Sequence, residues 1–143
     1  MKALTIRQPY PWLILHGYKT VENRTWSTSH RGTLLIHAGA TIEKDIIRAV
    51  LESAQADGAP LTSAEIAELH ITGALVGIVE VVDCTLTPAG DDVYWHTPGT
   101  WAWVLRNPRL FIPAIPATGK LGLWTPDTLT LVKVQAAIWQ ELV

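Results

Sequence analysis

Residues 17–26 read GYKTVENRTW, and how these ten residues are read decides the fold. Gly17 suits the C-terminal end of a short helix over WLILHG, residues 12–17. From Lys19 onward the segment has the alternation of a short strand. On a strand, positions 20, 22, 24 and 26 share one face, so Glu22, Arg24 and Trp26 stand in a row while Val21 and Asn23 point the other way. Lys19 has the opposite parity, but it follows the turn at Gly17-Tyr18 directly, where strict alternation need not hold. Two readings are open. One is an exposed face with a surface ion pair, worth about 0–1 kcal/mol. The other is a cleft wall in which a guanidinium takes a phosphate or carbonyl, a carboxylate stands beside it and an indole stacks on a base.

Working outward, residues 3–7 (ALTIR) read as a first strand, broken by Gln8-Pro9-Tyr10-Pro11, and residues 33–38 (TLLIHA) as a central strand, because the apolar run is nearly continuous. Residues 41–57 carry Ile42, Ile46, Val50 and Leu51 at helical spacing, stopped by Asp57-Gly58. Thr62 and Glu65 have the form of a capping box, opening a short helix that ends near His70. Residues 73–86 (GALVGIVEVVDCTL) form a long apolar strand with Glu80 inside it. Residues 101–106 and 109–119 read as two more strands, with Pro113 and Pro116 confining parts of the second to a sheet edge. In the last segment TLTLVKV alternates like a strand and AAIWQELV, residues 136–143, reads as a terminal helix. The chain has 143 residues, which fits one domain over 1–143. About six strands with peripheral helices imply an α+β fold built on a small mixed or antiparallel barrel.

The formal net charge of −2 hides an asymmetry. Residues 1–36 carry five basic groups against one acid, Glu22, whereas residues 37–92 carry two against ten, and residues 93–143 carry four against two. A chain-wide basic patch for long duplexes is thereby excluded, since such binding neutralises many phosphates. A local basic cleft assembled from the two ends of the chain is not, and it favours a small or single-stranded ligand. The single cysteine, Cys84, allows no internal disulfide, and no Cys/His spacing suggests a metal site. No secretory signal and no membrane-length apolar run is evident, so a soluble, cytoplasmic protein is expected. There is no Walker motif, no GxGxxG for a dinucleotide cofactor, no GxSxG and no HExxH, and no cofactor is implied.

Other residues carry chemistry of their own. Glu80 has only apolar near neighbours, and glutamate is seldom buried unpaired; it is either an outward-facing strand residue or part of a site. His37 ends the apolar strand LLIH, as a hydrogen-bonded structural histidine or as a base. Arg7 and Gln8 sit at a strand end before a proline-fixed turn, where side chains either meet a ligand or cap the turn. Seven tryptophans populate the chain; most belong to a core, and one or two at a cleft mouth would stack a base, each worth about 1–3 kcal/mol.

Taken together, LTIRQPYPWLILHGYKTVENRTW, RGTLLIHA, GALVGIVEVVDC and WAWVLRNPRLFIPAIPATGKLGLW resemble an ASCH domain, in order and over almost the whole chain. The core pattern G-x-K-x-x-E-x-R falls on Gly17, Lys19, Glu22 and Arg24, with RQP upstream and P-x-x-G-K-x-G-L-W, which contains Lys120, downstream. The resemblance implies a PUA-like β-barrel with a cleft lined by that core. It also implies a ligand: ASCH domains have been proposed to bind RNA, and PUA-like relatives bind RNA or modified bases. The expected partner is therefore single-stranded RNA or a modified nucleoside, met by Arg7, Gln8, Arg24, Trp26, His37, Glu80 and Lys120. One bacterial ASCH branch hydrolyses the amide of N(4)-acetylcytidine with a K-T-x-T-x-R motif, and another member has been described as a ribonuclease. Lys19 and Arg24 match that motif, but Glu22 stands where the branch has its catalytic threonine. If this chain is a hydrolase, Lys19 or Glu22 is the catalytic base.

Overall fold

The computed structural model describes the backbone of residues 1–142 and the side chains of residues 1–140. Six strands form one mixed sheet: β1 (Lys2–Gln8), β2 (Val21–Arg24), β3 (Gly32–Ile42), β4 (Ala74–Thr85), β5 (Trp101–Pro116) and β6 (Leu123–Trp124), in the order β2-β5-β4-β3-β1-β6. Among the described residues only β1 and β3 pair in parallel. The described residues also form four helices: α1 (Tyr10–Leu15), α2 (Lys44–Ala56), α3 (Ser63–Leu69) and α4 (Thr128–Leu142).

The apolar run of β3 is buried on both faces, as its sequence predicts. Leu34 and Ile36 join Leu4, Ile6, Val79, Trp103 and Leu105 in one core, whereas Leu35 turns to a second core with Leu75, Ile78, Phe111, Ile115 and Trp124. Register shifts at three places along β4 bend the central strands over the first core. At Gly77 the β5 backbone and α1 both come so close that a Cβ would collide with the Arg109 carbonyl and sit 2.6 Å from Leu15 Cδ2. The capping box forms reciprocally: Glu65 N donates to Thr62 Oγ1 at 3.2 Å, and Thr62 N to Glu65 Oε1 at 3.0 Å.

The structure corrects several expectations. The sheet is not closed into a barrel: no ladder joins β2, at one end of the strand order, to β1 near the other. The two strands expected over 101–106 and 109–119 are one, β5, because Asn107 takes a left-handed φ of 54° that asparagine tolerates and the strand continues beyond it. Its Pro-containing half does lie at an edge, since β2 covers only Trp101–Val104 of β5. TLTLVKV is not a strand. It opens α4, where Asp127 Oδ1 accepts from Thr130 N at 2.8 Å and Leu131, Val134, Ala137 and Ile138 pack at helical spacing on the second core. The expected terminal helix lies within α4, except for Val143, which is outside the described residues. A 3₁₀ turn over Gly90–Trp95 and the short strand β6 carried no sequence signal.

Gly77→Ala tests the packing directly. With strand backbone on one side and α1 on the other, the added methyl is expected to destabilise the fold by about 1–3 kcal/mol, visible as a lower thermal midpoint. An unchanged midpoint would contradict the close approach.

Candidate functional site

The opening between β2 and β1 is a cleft, and the quoted segment builds its wall. α1 ends in a Schellman turn: Gly17 adopts a φ of 81°, its N–H donates to the Ile14 carbonyl, and Tyr18 N and Lys19 N both donate to the Leu13 carbonyl. That turn frees Lys19 from strand parity and sends its side chain to the same side as Glu22 and Arg24. Lys19 Nζ donates to the Val21 carbonyl and to Glu22 Oε1 at 3.2 Å, and lies 5.3 Å from the centre of the Tyr10 ring. Arg24 Nε donates to Glu22 Oε2 at 3.0 Å, and Nη2 donates to the Thr5 carbonyl of β1 at 2.9 Å. Lys19 and Glu22 are only 4% and 7% exposed, so the segment is not an exposed face. Burial pushes the Lys19 ammonium below its ordinary value, with Arg24 adding to the effect and Glu22 opposing it. Burial, Glu43 and Glu22 push the Tyr10 hydroxyl up.

The opposite wall is the turn over Gly90–Trp95 and the residues after it, anchored to β2 and β5. Arg106 forks onto Asp92 with bonds of 3.1 and 2.9 Å, and Thr20 Oγ1 donates to Asp92 Oδ1 at 2.7 Å. The Arg106 hydrogen bonds hold the Asp92 carboxyl below its ordinary value. Asn23 Nδ2 donates to the Trp95 carbonyl, and its Oδ1 accepts from Thr97 N and Thr100 Oγ1. The open cleft has a volume of about 690 Å³, with Tyr10, Trp26, Tyr94 and Trp95 among its lining residues. Trp26 is held edge-to-face on Trp103 at 4.8 Å.

Of the residues selected from sequence, Lys19, Glu22, Arg24, Trp26 and Arg7 meet in this cleft, Arg7 at its rim in an ion pair with Glu43 at 3.1 Å. His37 and Lys120 line a second cavity of about 930 Å³ that shares Thr5, Ile6, Arg7 and Arg24 with the first. His37 is buried; Nε2 faces the Ala117 carbonyl at 2.6 Å and so carries the proton, leaving Nδ1 to accept from the Thr5 hydroxyl at 3.2 Å. Burial pushes its pKa down, against the pull of the Ala117 carbonyl. Gln8 and Glu80 are elsewhere. The buried Gln8 amide donates to the Glu68 and Ile71 carbonyls and accepts from Trp12 N, and Glu80 is exposed and accepts from Asn107. Sequence reasoning misses Tyr10, Asn23 and Asp92; only Asn23, inside the quoted segment, offers a signal. Among the described residues no group of three or more His, Cys, Asp or Glu could hold a metal ion, and no helix is long and apolar enough to cross a membrane.

The ASCH domain family matches residues 4–98, which takes in most of β1, the Gly17 turn, Lys19, Glu22, Arg24 and the opposite wall. The chain belongs to the ASCH domain family. It is 29% identical over 132 residues to activating signal cointegrator 1 of Homo sapiens and 28% identical to that of Mus musculus. Each match covers 88% of this chain but only 22% of the relative, so this ASCH chain spans about a fifth of the curated relatives it matches. An ASCH protein of Zymomonas mobilis, solved as a mutant protein, superposes with a TM-score of 0.55 over 94% of this chain and 96% of that one, at 11% identity. That likeness concerns the fold alone.

His37 gives this ASCH chain a pH signature. Its folded pKa lies below the unfolded 6.5, so the unfolded chain takes up the proton first. His37 therefore costs no stability at pH values above about 6.5 and lowers stability as pH falls from there toward the folded pKa. Thermal midpoints followed from about one unit above that value to about one and a half units below it should fall more steeply for wild type than for His37→Gln. Equal slopes would contradict the buried neutral ring.

Proposed function

We propose that residues 1–143 form one ASCH domain that binds single-stranded RNA or a modified nucleoside in the cleft between β1 and β2. The observation that carries this reading is the Lys19–Glu22–Arg24 cluster, in which Lys19 and Glu22 are buried and Arg24 is half-buried. Taking charges out of water costs several kcal/mol per ion, and well-packed apolar residues are often as stable or more so. A cluster of both signs at the wall of a cleft is therefore poorly explained by stability and well explained by recognition of a polar ligand. No buried side-chain nitrogen or oxygen among the described residues lacks a hydrogen-bond partner, so the site is organised before a ligand arrives.

The roles follow from which atoms are in use. Arg24 commits Nε and Nη2 to the protein, and Nη1 has no partner among the described residues, so Nη1 is the donor for a carbonyl or phosphate oxygen. Lys19 directs its donors to Val21 and Glu22 and its charge to the Tyr10 ring, so its part is to hold Glu22 in place. The Glu22 carboxylate has lone pairs left to accept from an exocyclic amine. Trp26, 37% exposed with its ring fixed on Trp103, offers a face for stacking. Titration with short single-stranded RNA and with modified nucleosides should change tryptophan fluorescence. Trp26→Ala should weaken binding by about 1–3 kcal/mol without lowering the thermal midpoint by a comparable amount. No fluorescence change with any of these ligands would overturn the reading.

One observation favours a second reading, hydrolysis of a small acylated nucleoside. A buried lysine held below its ordinary pKa is the state a general base or nucleophile requires. In that case Lys19→Ala should abolish deacylation of N(4)-acylcytidines, a loss of at least about 10²-fold, while the chain stays folded. Wild type that releases no acyl group at stoichiometric enzyme would eliminate this reading and leave the first intact.

A further inference from the structure

The two cavities beside Arg24 differ in chemistry. The first holds four aromatic residues and two carboxylates, Glu22 and Glu43, against Arg7, Lys19 and Arg24. The second has no tyrosine, tryptophan or phenylalanine on its lining and no carboxylate; its charged side chains are Arg7, Arg24 and Lys120. The rest of that lining is largely small: Gly39, Gly73, Gly119 and Gly122 occur there, so a ligand would lie close to backbone. Its floor is fixed by His37, which donates to the Ala117 carbonyl, and by Thr5, whose hydroxyl is 3.3 Å from the Lys120 carbonyl. Gly119 is pressed so tightly there that a Cβ would sit 2.7 Å from His37 Cε1. The neutral His37 adds no charge, and Arg7 and Arg24 are paired with Glu43 and Glu22 on the side of the first cavity, so Lys120 is the cation particular to this chamber.

We propose that the second chamber is a phosphate subsite for a nucleotide whose base occupies the first, with Arg7 and Arg24 at the junction and Lys120 at the far side. The inference rests on the reading of the first cleft as a base-binding site and extends it. Balanced charge with aromatic faces suits a base, which is polar, neutral and flat. Cationic donors on a wall that carries no carboxylate of its own suit phosphate oxygens, for which guanidinium groups have matching geometry. Both volumes lie in the range of about 300–1,000 Å³ that single small-molecule sites occupy, so a bare nucleoside would leave one chamber empty. The phosphate belongs either to a mononucleotide or to the backbone of a single strand continuing past the junction.

The test titrates the whole chain with ribonucleosides, their 3′- and 5′-monophosphates and dinucleoside monophosphates, at low and moderate salt. Phosphorylated ligands are expected to bind at least about tenfold tighter than the nucleosides, with the gap narrowing as salt rises. Lys120→Glu, at an exposed position, should remove most of that gap and leave nucleoside affinity and the thermal midpoint unchanged. A gain for monophosphates alone assigns a terminal phosphate, and an equal or larger gain for dinucleoside monophosphates assigns a strand; either supports the subsite. Nucleosides that bind as tightly as their phosphates, or a gap that survives Lys120→Glu, would overturn it while leaving the base site standing. If none of these ligands binds wild type, the base site itself fails and the subsite with it.

Discussion

The guanidinium of Arg24 spans the opening between β2 and β1, which no ladder closes, donating to Glu22 on its own strand and to the Thr5 carbonyl of β1. Those two strands stand four places apart in the strand order, with β5, β4 and β3 between them, yet a single side chain connects them. Backbone hydrogen bonds at that position would close the sheet and fill the cleft. A planar fork instead leaves space while fixing the separation, which a lysine's single ammonium would not do in the same geometry. The same group lines both cavities, together with Thr5, Ile6 and Arg7.

That arrangement depends on burying charge, and the surroundings show how the cost is offset. Glu22 accepts from cations on both sides, and Lys19 is met by a carbonyl, a carboxylate and an aromatic face. Burial still dominates the Lys19 ammonium, whose pKa falls despite its ion pair. The net effect is a rigid polar wall with little stability to recommend it, which is the usual condition of a recognition site.

Much of this is legible in the sequence, and the parts that are not have physical reasons. The period of a strand puts Glu22 and Arg24 on one face, and Gly17 marks the turn that brings Lys19 to join them. Whether that face is exposed does not follow from residues 17–26 alone, because the cover comes from Tyr10 and from residues 92–97, held by Asp92 and Asn23. Strand counting reaches about six only by dividing β5 in two and without β6, and it does not find the missing ladder, since a side chain and not backbone bridges β2 to β1. In TLTLVKV a two-residue alternation competes with the helical spacing of Leu131, Val134 and Ile138, and packing on the second core decides for the helix. Polarity alone makes Gln8 and Glu80 look ligand-facing. Gln8 instead ties the turn before α1 to the end of α3, and Glu80 lies on the outer surface beside Asn107.

The most direct test of the central claim is a crystal structure of the chain with a short single-stranded RNA. The account predicts a base between Glu22 and Trp26, an oxygen of the ligand on Arg24 Nη1, and Lys19 still bonded to Glu22. RNA density that lies away from the β1–β2 opening, or a Lys19–Glu22–Arg24 cluster that dissolves to admit it, would contradict the account.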